Sequence, residues 1–204
     1  SELVSATIDA TLEVVRRRFD WSPRLAVIAL GRWGGCELAY ASDADAMFVV
    51  EDSDHPEAMK IATQIVSEVR SVLAKAGPDP SLDIDVDLRP EGKGGAMVRS
   101  VTSYRAYYGR WSSTWEAQAL LRAAHGAGDQ DLSAALLDDI DRLRYPAEGI
   151  SRQQVHEIRK LKARMEVERI PRGSDPLRNT KLGRYTYAIG GNEISAQLMG
   201  LKVA

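Results

Sequence analysis

The sequence predicts an α+β fold, a small mixed β-sheet with flanking helices followed by a helical region, and three observations carry that prediction. Apolar runs at residues 24–30 and 43–50, and a strictly alternating run at 81–88, have strand character. Apolar residues recur three and four apart over residues 1–19 and 56–76, the period of amphipathic helices. After Thr102 the remaining segments all read as helical. Strands first and helices after is the pattern of an α+β chain. The expected division is a core unit over 1–101, a helical extension packed on it over 102–184, and an atypical stretch over 185–204.

Element by element, Val4, Ile8, Leu12, Val15 and Phe19 form the stripe of the first helix, and Arg16, Arg17 and Arg18 near its end complement the helix dipole. The run Arg-Leu-Ala-Val-Ile-Ala-Leu from Arg24 suits a buried strand. A glycine-bearing turn over 31–35 follows, then a second strand from Asp43 to about Val50. The helix over 56–76 buries Ile61, Ile65, Val69 and Val72, and Gly77-Pro78 stops it. Residues 81–88 alternate, with Asp83, Asp85 and Asp87 on one face and Leu82, Ile84, Val86 and Leu88 on the other. Arg89-Pro90 ends that strand, residues 91–95 form a glycine-rich turn, and 96–101 returns as a fourth strand. Helices are expected near 103–110, 113–124, 129–143 and 151–169; Leu132, Leu136, Ile140 and Leu143 mark the buried stripe of the third.

The formal charge of −2 lacks the basic footprint of a dedicated nucleic-acid binder. Charge is unevenly distributed. Residues 33–59 carry seven acids and no Lys or Arg, whereas 151–184 carry ten Lys/Arg against four Asp/Glu. Cys36, the single cysteine, has no partner for an internal disulfide, and with three scattered histidines a Cys–His nucleophile is a poor reading. No apolar stretch approaches bilayer length and no secretory signal pattern opens the chain, so the expected setting is cytoplasmic.

Chemistry concentrates at Asp43 and Asp45. One residue apart at the mouth of a strand, they project to one face. Two carboxylates so close repel unless a cation lies between them, and Mg²⁺ in phosphate chemistry is commonly held by one or two carboxylates plus substrate oxygens. One of Asp83, Asp85 and Asp87 is positioned to complete the site if the two strands are neighbours. Gly34 and Gly35 allow close backbone approach to a phosphate, with their N–H groups as donors and Ser42 as a further donor. Arg89 and Lys93 are the candidate cations to grip a triphosphate, pairing with a local Asp being the other reading of Arg89. A lone Asp-x-Asp usually decorates a turn. The order of apolar strand, Gly-Gly turn, Asp-x-Asp, apolar strand and second acidic strand points instead to metal-dependent nucleotidyl transfer.

These residues resemble the polymerase-beta-like nucleotidyltransferase superfamily. More narrowly, Gly34-Gly35-Cys36-Glu37-Leu38 with Ser42-Asp43-Ala44-Asp45 is similar to glutamine-synthetase adenylyltransferase. The resemblance continues through Ile84-Asp85, Leu88-Arg89-Pro90, Gly92, Thr114-Trp115-Glu116, Gln118-Ala119-Leu120 and Arg122-Ala123, covering roughly 24–184. It implies a nucleotidyltransferase that moves AMP from ATP to a tyrosine hydroxyl of glutamine synthetase, with Mg²⁺ or Mn²⁺ as cofactor. It implies Asp43, Asp45 and Asp85 as metal ligands and catalytic acids, Asp85 being favoured by its place five positions before Pro90. Family members pair an adenylylating half with one that removes AMP by phosphorolysis, and the Thr-Trp-Glu-x-Gln-Ala-Leu string is closer to the adenylylating half. Removal of AMP, or an inactive regulatory fragment of the same fold, are the alternatives. Expected partners are ATP, glutamine synthetase and a PII-type nitrogen signal protein, with no nucleic acid and no membrane.

Beyond Arg184 the chain departs from the family pattern, and a truncated chain with a foreign tail is expected. Tyr108 and Trp115 read as packing residues, Glu116 and Arg122 as caps or ion-pair members, and Arg159, Lys160, Lys162 and Arg164 as a solvated face.

Overall fold

The computed structural model describes residues 1–39, 42–75, 77, 81–110 and 113–169, with side chains to residue 164. The sequence expectations for 170–184 and for the tail over 185–204 lie outside the described residues. Ser1–Val155 form one compact unit, and a second begins at His156.

The first unit is built on a mixed five-stranded sheet. Strand β1 (Leu25–Ala29) pairs antiparallel with β2 (Ala44–Val50) on one side and with β5 (Ala124–Gly128) on the other. The opposite edge of β2 carries two short parallel partners, β3 (Ile84–Asp85) near its start and β4 (Val98–Ser100) near its end. Both faces of the sheet are covered, so β1 and most of β2 are apolar at every position rather than at alternate ones.

One face packs on α1 (Glu2–Arg16) and α3 (Ala58–Leu73). Ile8, Leu12, Val15, Ile65, Val66 and Val69 meet Val27, Ala46, Phe48 and Val50 there. The other face packs on α4 (Val101–Tyr108), α5 (Thr114–Leu120) and α6 (Gln130–Arg144). Tyr104, Leu120, Leu136 and Ile140 cover Ala26, Ile28, Met47 and Val49. Of the expected helical stripes Ile8, Leu12, Val15, Ile65, Val69, Leu132, Leu136 and Ile140 are buried, while Val4, Phe19, Ile61, Val72 and Leu143 are only partly so. α6 is capped by Asp129, whose carboxylate accepts from Leu132 N. α7 (Arg152–Arg169) opens on a Ser151–Gln154 cap, and its Arg159, Lys160, Lys162 and Arg164 are exposed.

Three expectations need correction. The glycine turn over 31–35 contains a single helical turn, α2 (Gly31–Gly34). The strand over 81–88 is ordered as strand only at Ile84–Asp85, although Ile84 and Val86 keep the buried parity. The chain turns at Asp87 because Asp85 Oδ1 accepts from Asp87 N at 2.7 Å and Arg89 N bonds back to Val86 O. The region after Thr102 is not wholly helical, for α5 ends at Leu120 and β5 follows. A β-carbon at Gly126 would stand 2.7 Å from the Trp33 ring, so glycine lets this strand slide beneath the indole.

Candidate active site

The site forms where the start of β2 meets β3. Asp45 and Asp85 are register partners across the parallel β2–β3 pair, so their side chains share one sheet face. Asp45 has the parity of Met47 and Val49, which places it on the α4–α6 side of the sheet. Asp43, exposed, stands two residues earlier. The half-buried Asp45 carboxyl is raised above the ordinary carboxylate range, by burial first and then by repulsion from Asp43 and Asp85, with Arg32 opposing. Asp43 and Asp85 are thus both close enough to Asp45 for their charge to act on it. Among the described residues no group of three or more His, Cys, Asp or Glu side chains is arranged to hold a metal ion by itself.

Backbone holds the acids in place. Leu30 N donates to Asp45 O and Ala44 N to Asp83 O, each at 2.9 Å. The turn from β1 into α2 brings Gly31, at φ +51°, directly against the Asp45 carboxylate, and a β-carbon there would collide with Oδ2. This is a close approach that only glycine permits.

The structure gives the predicted phosphate contacts different roles. The N–H groups of Gly34 and Gly35 donate to Leu30 O and Gly31 O, at 2.8 and 3.2 Å, so they close the helical turn instead of facing outward. Gly34 is needed for packing, since a β-carbon there would strike the Arg122 and Ala29 carbonyls, whereas at Gly35 a β-carbon would only press on the movable Arg122 side chain. Arg89 is buried, and its guanidinium donates to Val86 O (2.7 Å), Gly95 O (3.0 Å) and Lys93 O (3.0 Å). It organises the 86–95 loop, a demand for buried donors that its spacing did not reveal. Lys93 is exposed and pairs with Asp87 at 3.2 Å, beside the acids. Ser42 directly precedes Asp43, with its N–H on Ala39 O.

A family model described as glutamate-ammonia ligase adenylyltransferase matches residues 3–139. The chain belongs to that family. A protein of Cutibacterium acnes is 57% identical over 90% of this chain, one of Streptomyces avermitilis 53% identical over 90%, and one of Nocardia farcinica 45% identical over 98%. All three are named bifunctional glutamine synthetase adenylyltransferase/adenylyl-removing enzyme. The chain spans only 18%, 19% and 20% of their respective lengths.

Two further features of this adenylyltransferase-family chain bear on the site. Arg122 lies along Gly35 and forms an ion pair with Glu37, both side chains about half exposed. It is thereby the cation standing over the Gly-Gly segment, brought there from 85 residues away by β5. No local spacing signals that; only its place in the Arg122-Ala123 string does. Glu116 is 3% exposed and accepts from Ser113 N, Ser113 Oγ and Tyr107 Oη (2.8, 2.8 and 2.6 Å), a capping box with an added tyrosine. It is a cap, as the sequence suggests. Tyr108 is core, but Trp115 is 36% exposed rather than packed.

Proposed function

We propose that this domain transfers AMP from ATP to a tyrosine hydroxyl of glutamine synthetase, an adenylylation that regulates nitrogen assimilation. The observation that supports it best is the in-register pairing of Asp45 with Asp85, with Asp43 close enough to raise the Asp45 carboxyl further. The donor set fits a hard divalent cation: carboxylate oxygens that repel one another, on a rigid sheet edge, too few to satisfy the ion without substrate oxygens. Asp43, Asp45 and Asp85 would hold Mg²⁺ or Mn²⁺, which when bound supplies Lewis-acid stabilisation of the charge on the transferring phosphate.

The chain's own residues divide the work by side of β2. On the β1 side, Arg32 and Arg122 provide positive charge beside α2 for the triphosphate, with Ser42 as a donor. Lys93, on the other side, balances charge near Asp87. On the β3 side, Asp85 is oriented through Oδ1 by the Asp87 N–H and receives the phenolic proton as the tyrosine oxygen attacks the α-phosphorus. The bond from that phosphorus to the bridging oxygen breaks, and pyrophosphate leaves. The protein's contribution is position and electrostatics.

The test is AMP incorporation from labelled ATP into purified glutamine synthetase by wild type and by Asp43→Asn/Asp45→Asn. Loss of transfer in a folded double variant is expected, and undiminished transfer overturns the reading. The relatives' name also carries adenylyl removal, so the reverse assay, AMP-modified target plus phosphate, belongs beside it. The strings around Glu116 and Leu120 place the adenylylating direction first. A PII-type protein as regulator and a cytoplasmic setting complete the proposal. No helix among the described residues is long and apolar enough to cross a membrane.

A further inference from the structure

We propose that an open cavity between the 91–99 segment and α4 is a docking pocket for an acidic side chain of the acceptor protein, carried about four residues from the tyrosine that receives AMP. This deepens the AMP-transfer reading and rests on it. The cavity, about 610 Å³, is lined by Glu91, Arg99, Ser103, Ala106, Tyr107 and Arg110.

Placement comes from strand register. Arg99 on β4 pairs with Val49 on β2, just as Asp85 on β3 pairs with Asp45. In-register partners share a face, and Val49 has the parity of Asp45, so Arg99 and the acids look out from the same side of the sheet. Asp85 and Arg99 also lie along the same edge of β2, the one opposite β1. Four residues separate Asp45 from Val49, roughly 13 Å at about 3.3 Å per residue. An extended peptide has nearly the same rise, so an acceptor segment running outside β3 and β4, parallel to β2, would bring a residue four positions from the tyrosine to Arg99.

Charge selects the occupant. Two arginines and one glutamate line the cavity; Arg99 pairs with Glu91, and Arg110 forms no ion pair among the described residues. Arg99 donates Nη2 to Glu91 Oε2 at 2.7 Å, lies 5.4 Å from the Tyr107 ring centroid, and has a buried Nε with no hydrogen-bond partner among the described residues. Tyr107 is itself fixed by its bond to Glu116, so the aromatic wall behind Arg99 is rigid. Glu91, a non-glycine residue at φ +63° with an exposed side chain, presents a carboxylate to that fork. A carboxylate is therefore what the pocket already holds from within. An incoming Asp or Glu takes the place of Glu91 on Arg99, with Arg110 at the rim. The retained Glu91 charge disfavours a phosphate dianion.

The experiment measures fluorescence anisotropy of labelled tyrosine peptides with the full chain, one peptide carrying Glu four residues from the tyrosine and one carrying Gln. The Glu peptide is expected to bind about tenfold more tightly, and Arg110→Glu and Arg99→Gln to abolish that preference. Titration of both variants with ATP and Mn²⁺ should match wild type, which also shows that they are folded. Equal binding of the two peptides, a preference that survives both variants, or loss of ATP binding in Arg110→Glu would overturn the proposal. AMP transfer to glutamine synthetase is assayed on the same wild-type sample. Peptide preference without transfer sinks the AMP-transfer reading, whereas transfer without preference sinks only the pocket.

Discussion

The carboxylate of Asp45 fills the space that a β-carbon at Gly31 would require. A residue of the β1–α2 turn is thus the floor against which the central acid of the site is set. Because Gly31 also has φ +51°, alanine there is penalised twice, by the backbone and by displacement of the carboxylate. Gly31→Ala is expected to cost about 1 kcal/mol of stability from the backbone alone. AMP transfer should fall about a hundredfold, since small misplacements of reacting groups cost that much. Urea unfolding and transfer assays on one preparation separate the two effects. Wild-type activity in the variant would show that the close approach is incidental.

Asp45 is held in a fold that disfavours its charge. Its folded-state pKa is raised, so the ionised form destabilises the fold as pH rises above the unfolded value, and that penalty is absent at lower pH, where the group is protonated in both states. Asp45→Asn removes the penalty. At neutral pH the variant should melt about 2 °C higher than wild type while losing AMP transfer. Mn²⁺ with ATP should raise the melting temperature of wild type and leave the variant unmoved, because a ligand stabilises only the state that binds it. A variant melting below wild type would show that Asp45 is structurally required.

Part of the placement of this candidate site is readable in the amino-acid sequence alone, and the reasons differ by residue. The meeting of Asp45 with Asp85 is legible because strand parity is a local property and the family strings choose among three candidate acids. The partners that Gly34, Gly35 and Arg89 have in the fold, backbone carbonyls and a distant arginine, are not visible in the sequence. A sequence shows that a donor is present but not what it satisfies. β5 escapes a sequence reading because Ala-His-Gly-Ala-Gly has low strand propensity, and it is tertiary packing under Trp33 that makes it a strand. The same omission hides Arg122, which the β5 connection delivers to the Gly-Gly segment.

Asp129 ties β1 to the start of α6. Arg24 donates Nε and Nη2 to its two oxygens, both at 2.7 Å, and Leu132 N donates to Oδ1 at 2.9 Å. The Arg24 hydrogen bond, followed by the helix-cap N–H, holds the Asp129 carboxyl below the usual carboxylate range. The stability it provides is fully present above the unfolded carboxylate pKa of about 3.9 and is lost as pH falls through the lower folded value. Asp129→Ala should cost about 1 kcal/mol at neutral pH from the cap. Asp129→Asn, which can still cap, should cost less and should flatten the acid limb of the stability profile. Parallel acid limbs for wild type and Asp129→Asn would assign the acid sensitivity elsewhere.

Arg122 and Glu37 form an ion pair across the Gly-Gly segment, with both side chains about half exposed. Such a pair contributes little stability, so neither residue is held there strongly and a polyphosphate can compete for the guanidinium. Two substitutions then have opposite effects on nucleotide affinity. Arg122→Ala removes the cation and should raise the KM for ATP about tenfold, leaving the KM for glutamine synthetase unchanged. Glu37→Gln frees the guanidinium from its internal competitor and should lower the KM for ATP, with a smaller effect at high salt because exposed charges are screened. A structural role for the pair predicts something else: both variants melt lower and neither changes the KM for ATP. Nucleotide kinetics and melting curves on the two single variants therefore decide whether the pair is a latch on the triphosphate site or a strut beneath it.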